Sequence, residues 1–113
     1  MKHWLALVFL LPFIASAQDG NATKGKKIFM DVGCYECHGT VGQGGAAGAR
    51  IGPPNLNTQG FIRYIRRPGG AMPAFTDKVL TDQDLTDVYA YLKGVPAVKP
   101  VKDIPLLNAL KAN

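Results

Sequence analysis

Cys34-Tyr35-Glu36-Cys37-His38 constrains this chain more than any other stretch, because it sets two thiols one helical turn apart and follows the second directly with an imidazole. Several chemistries use such a run. A thioredoxin-like redox pair belongs at the strand-to-helix junction of a βαβ unit, and no alternating strand pattern of useful length occurs in this sequence. A zinc site needs four ligands as a rule, whereas the chain beyond residue 17 offers two cysteines and one histidine. A plain disulfide would not explain His38. Covalent haem attachment uses all three groups: the thiols reach the two vinyl groups of one haem c and the imidazole goes to the iron. Cys34, Cys37 and His38 are therefore the candidate haem-binding residues, with His38 as an iron ligand.

The rest of the chain suits a small exported carrier. Lys2, an apolar run from Trp4 to Ile14 and Ala15-Ser16-Ala17 form the charged, apolar and small-residue parts of a secretory signal peptide. The run falls short of the roughly 18 to 20 residues that cross a bilayer, so residues 1–17 are expected to be cleaved. The mature chain is then periplasmic, with no membrane span. Residues 18–96 form one domain whose core is thin for its size, and residues 97–113 form a proline-containing tail. Loss of Lys2 takes the formal charge from +5 to +4. That balance suits an acidic docking surface on a partner and falls short of a nucleic-acid-binding stripe, so no nucleic acid is expected.

Helical periodicity predicts an all-α fold. A first helix capped by Asp19 or Asn21 runs through Lys24 to Asp31, with Gly25, Ile28, Phe29 and Val32 on one face and Gly33 at its end. A glycine-rich stretch follows from Gly39 to Asn57. A second helix begins near Asn57 or Thr58, with Phe61, Ile62 and Ile65 inward and Arg63, Arg66 and Arg67 outward, and Pro68 stops it. A third has Thr81 as N-cap, Asp82 and Asp84 in its first turn, and Leu85, Val88, Tyr89 and Leu92 at helical spacing before Lys93 and Gly94. Pro96, Pro100 and Pro105 predict an extended tail. Its Ile104, Leu106, Leu107 and Leu110 are expected either to fold back over the domain or to dock on a redox partner.

Ordered features along residues 20–95 make the chain similar to class I monohaem c-type cytochromes. They are Gly25-Lys26-Lys27-Ile28-Phe29, Cys34 to Gly39, Gly52-Pro53-Pro54-Asn55-Leu56, Met72-Pro73-Ala74-Phe75 and Tyr89-Ala90-Tyr91-Leu92. The resemblance implies three main helices and loops wrapped around one covalently attached haem. It also implies that Gly25 and Phe29 pack against Tyr89, and that the carbonyl of Pro53 or Pro54 accepts a hydrogen bond from the ring N–H of His38. Phe29 departs from the pattern, standing five residues before Cys34 where four is commoner.

With His38 already used, elimination leaves Met30, Met72 and the lysines for the second axial ligand. Met30 lies too close to the attachment run to reach the opposite haem face and reads as a core side chain. Met72 follows in a glycine-containing loop long enough to cross, and the family pattern of methionine before proline implies the same choice. His38 and Met72 together fill both axial positions, which leaves electron exchange as the chemistry. The expected function is electron transfer, not enzymatic catalysis, as a periplasmic carrier or as the cytochrome subunit of an exported dehydrogenase. Its partners would be a dehydrogenase donor and an oxidase or another cytochrome as acceptor. The alternative is a haem-based catalytic or ligand-sensing protein whose sixth position is open or displaceable. Tyr64 and Arg50 are candidates for the haem propionates or for the solvated surface, and Lys24, Lys26, Lys27, Arg63, Arg66 and Arg67 for a docking ring.

Overall fold

A computed structural model describes residues 19–111, and the predicted leader lies outside the described residues. Five α-helices follow in order: α1 (Ala22–Asp31), α2 (Cys34–His38), α3 (Thr58–Arg66), α4 (Asp82–Lys93) and α5 (Pro105–Lys111), with a 3-10 turn at Val101–Asp103. No strand occurs among the described residues, and none of these helices is long and apolar enough to cross a membrane. The all-α expectation holds.

The local chemistry of each start is visible. Asn21 caps α1 through its side chain, which accepts from Lys24 N, so the cap is Asn21 and not Asp19. Asn57 does the same for α3 by accepting from Gly60 N. At α4, Thr81 and Asp84 form a reciprocal capping box. Each cap satisfies amide groups that a helix start leaves unpaired.

The core is one cluster. Phe29 from α1, Phe61, Ile62 and Ile65 from α3, Leu80 from the preceding loop, and Leu85, Val88 and Leu92 from α4 are all buried. Helix α4 packs on both α1 and α3. At the α1–α4 crossing the backbones nearly touch, since a Cβ on Gly25 would stand 1.9 Å from the Asp87 carbonyl oxygen. One turn further along each helix, Phe29 meets Tyr91 edge-on at 5.6 Å. This corrects the expected Phe29–Tyr89 pair. With Gly25 seated at Asp87, the helical repeat carries Phe29 to Tyr91, and Tyr89 turns instead to Phe61, also edge-on at 5.6 Å.

The same crossing buries Asp87, which is 2 % exposed. Its Oδ1 accepts from Asn21 N at 2.8 Å and Gln83 Nε2 at 3.1 Å, and its Oδ2 pairs with Lys24 Nζ at 3.0 Å. A buried carboxylate is tolerated only with such partners. Burial pushes the Asp87 carboxyl up, but the Asn21 amide, Lys24 ammonium and Gln83 amide outweigh it and hold it below its usual range.

Two expectations about the tail are corrected. Residues 105–111 are helical, because Pro105 stands at the first position, where its missing N–H is no loss and its fixed φ suits the helix. Among the described helices and turns, α5 packs only on the 3-10 turn before it, so the tail does not fold back to extend the core. Leu106 and Leu110 remain exposed.

Candidate functional site

Helix α2 begins directly after α1. Val32 closes α1 with its N–H on Ile28 O, and Gly33 turns the chain with φ 79 in the left-handed region before Cys34 starts the next turn. The extra residue between Phe29 and Cys34 is absorbed at this link, which needs glycine for its backbone angle. Both cysteines are free thiols: Cys34 is half-buried against the core and Cys37 is exposed. Burial pushes the Cys34 thiol up, and a backbone hydrogen bond opposes it weakly.

His38 is half-buried, and its Nδ1 lies 2.7 Å from Ala49 O. A carbonyl can only accept, so Nδ1 is the donor and the neutral ring keeps its lone pair on Nε2. The expected acceptors, Pro53 and Pro54, do not fill this role. The reason is the fold of the glycine-rich stretch: Gly44 N donates to His38 O at 2.7 Å, and Ile51 N and Gly52 N both donate to Gly42 O. The chain therefore doubles back before the prolines and presents Ala49 to the ring. A third tie comes from α4, whose Tyr91 hydroxyl donates to Thr40 O at 2.8 Å.

Met72 is half-buried and packs against the same buried cluster as Cys34, as does Met30. The loop that carries Met72 is fastened three residues later. Phe75 N donates to Ile65 O at 3.2 Å, and Phe75 O accepts from Arg66 Nη1 at 3.0 Å. Arg66 Nη2 also reaches Asp82 Oδ1 at 2.6 Å. Arg66 is thus half-buried and bonded internally, not a member of an outward docking ring. The ring is thinned further by Lys24, paired with Asp84 and Asp87, and by Lys27, paired with Asp31. Lys26, Arg63 and Arg67 make no ion pair among the described residues. Arg50 donates to Pro96 O at 2.9 Å, and Tyr64 is exposed.

The donor set fits a covalently held haem. Two unpaired thiols stand one turn apart, the following imidazole has its Nδ1 occupied and its Nε2 available, and a thioether lies on the same apolar cluster. The bonds made by the Ala49 carbonyl, Arg66 and the Tyr91 hydroxyl carry no signal in the sequence. A carbonyl acceptor leaves no residue-type signal, and Arg66 stands on a helix face that reads as solvated.

Comparison with known proteins agrees with this chemistry. Residues 20–92 match the family model described as cytochrome c oxidase, cbb3-type, subunit III. Cytochrome c-555 of Methylococcus capsulatus (strain ATCC 33009 / NCIMB 11132 / Bath) is 29 % identical over 85 residues, covering 74 % of this chain and 69 % of that protein. No solved structure matches.

Proposed function

The chain belongs to the cytochrome c family described by that subunit III model and is a haem c electron-transfer protein, and from this premise we propose how its own residues serve the transfer. Cys34 and Cys37 would hold the haem covalently, and His38 and Met72 would be its iron ligands. When bound, the haem supplies a one-electron Fe(III)/Fe(II) couple. The observation that carries the reading is the His38–Ala49 hydrogen bond beside two free thiols. It fixes the ring tautomer, orients Nε2 as the ligating atom and raises its donor strength.

With Met72 as the second iron ligand, substrates would find no open site, and the protein would act as a carrier and not as an enzyme. Its loop, tied at Phe75, holds the thioether where outside ligands must displace it. Export to the periplasm is supported by the composition of residues 1–17. The partners are redox proteins: a dehydrogenase as donor, and an oxidase or another cytochrome as acceptor. With several cations already paired within the chain, docking relies on Lys26, Arg63 and Arg67 and on apolar contact, with modest electrostatic steering.

The test is spectroscopic. Ferric wild-type holoprotein should be low-spin and show the weak far-red charge-transfer band of an iron–thioether bond. Met72→Ala should lose the band, bind imidazole at least about tenfold faster and keep its haem, while Met30→Ala should keep the band. A Met72→Ala protein with an unaltered spectrum overturns the ligand assignment. Intact mass of the purified holoprotein checks attachment, which Cys34→Ala should largely abolish.

A further inference from the structure

Helix α3 ends at Arg66, and the chain returns to that end at Phe75 after passing through Met72. Both backbone polar groups of Phe75 are taken by adjacent residues of α3: its N–H by Ile65 O at 3.2 Å and its carbonyl by Arg66 Nη1 at 3.0 Å. The other arm of the same guanidinium meets Asp82, the first residue of α4, at 2.6 Å. One planar side chain therefore joins the end of α3, the Met72 loop and the start of α4. Only arginine can do this with fixed geometry, because its fork presents separate N–H donors in two directions while a lysine ammonium offers one compact point of charge.

The bond matters because the hydrogen bonds from this loop to the helices are all at Phe75, while Met72 and Phe75 are only partly buried on the core. Pro68, Gly69 and Gly70 give it an abrupt start, and Gly70 has φ 67. Between Arg67 and Phe75 no backbone hydrogen bond ties the loop to the helices. Met72 stands three residues before the tie, close enough for the position of Phe75 to limit where the thioether can travel.

We propose that Arg66 is the positioning residue of the Met72 loop, setting how readily the thioether leaves the iron and so how strongly the site excludes outside ligands. The inference rests on Met72 being the distal ligand. In this assignment Arg66 acts through the Phe75 carbonyl. Asp82 contributes by holding the guanidinium in place.

The test uses ferric holoprotein with haem attached. Arg66→Ala should capture imidazole roughly ten- to a hundredfold faster than wild type, the range expected when a charge-assisted hydrogen bond is lost. Its far-red band should weaken at a pH where the wild-type band is intact. Arg66→Lys should restore little of this, since it keeps the charge without the fork, and Asp82→Asn should give a smaller acceleration in the same direction. Wild-type capture rates in a folded Arg66→Ala protein would overturn the proposal, as would full rescue by lysine. If Arg66→Ala does not fold, Asp82→Asn carries the kinetic test, and an unchanged rate there overturns the proposal equally. Amide exchange at Ala74 to Thr76 reads the clamp independently of the iron. Faster exchange in Arg66→Ala, with a far-red band that persists in Met72→Ala, would show the clamp to be real and the ligand assignment wrong. Unchanged exchange would refute the clamp itself.

Discussion

At the α1–α4 crossing, glycine is required by what lies beside it: a methyl group on Gly25 would overlap the Asp87 carbonyl at 1.9 Å. In the Met72 loop, glycine is required by the backbone alone. Gly70 has φ 67, and a Cβ there would meet nothing within 4 Å. The first region is backbone against backbone, reinforced by a buried carboxylate with three partners. The second is a chain excursion hydrogen-bonded to the helices only at Phe75, by the Ile65 carbonyl and the Arg66 side chain. In the proposed assignment, haem attachment through α2 lies next to the stiff region, and the Met72 thioether is carried by the compliant one. A carrier arranged this way can keep its haem while the distal side yields.

Substitutions separate the two regions by size of effect. Gly25→Ala should be the most damaging, at about 3 kcal/mol or more, because neither helix backbone can move aside without disturbing Phe29 and Val88. Urea unfolding of the holoprotein measures it, and a cost below that of Gly70→Ala would break the comparison.

Asp87→Asn should rank second, at roughly 1 to 2 kcal/mol, through loss of the Lys24 pair and weaker acceptance of the remaining donors. Acid sharpens this result. The Thr81 hydroxyl and Lys24 ammonium lower the Asp84 carboxyl to about 2, and Asp87 is also held low. A carboxylate depressed in the folded state contributes stability that is fully present above its unfolded value, near pH 4, and is lost as pH falls towards the folded value. Wild type should therefore be flat from neutrality to about pH 4 and lose stability between there and pH 2. In Asp87→Asn that loss should be shallower, as a melting series across this window would show.

Gly70→Ala should cost about 1 kcal/mol, the strain of a left-handed backbone without a clash. Its larger signature should be in imidazole capture, with the melting curve scarcely moved. Removing residues 97–113 should change stability least, within about 0.5 kcal/mol, since no part of the core comes from them. A larger loss on calorimetry would mean that the tail packs on the domain.

Helix starts and the attachment run were legible because they depend on residue type at short spacing. Asn21, Asn57 and the Thr81–Asp84 box act within three or four residues of themselves. Ala49 was not legible, since any residue supplies a carbonyl and only the doubling back of the glycine-rich stretch selects this one. The sequence does not separate Tyr89 from Tyr91 as the partner of Phe29, because both are reasonable until Gly25 fixes the register of the crossing. Arg66 and Asp87 read as polar helix faces, yet both are committed to partners distant in sequence. Pro105 reads as a breaker in a proline-containing tail, yet at a first helical position proline is a start signal.

The hydrogen bond from Asn21 to Asp87 joins residues 66 apart in sequence, and the crossing around it closes that length of chain into a ring. Cys34, Cys37, His38 and Met72 all lie inside the ring, and the tail lies outside it. Loop-closure entropy grows only slowly with length, so one well-packed clasp restrains every segment proposed to hold the haem at little more cost than it would restrain a short one. A single backbone cut inside the ring should leave two pieces still fastened at the crossing. Loosening the clasp instead frees the thiol-bearing turn and the thioether loop together.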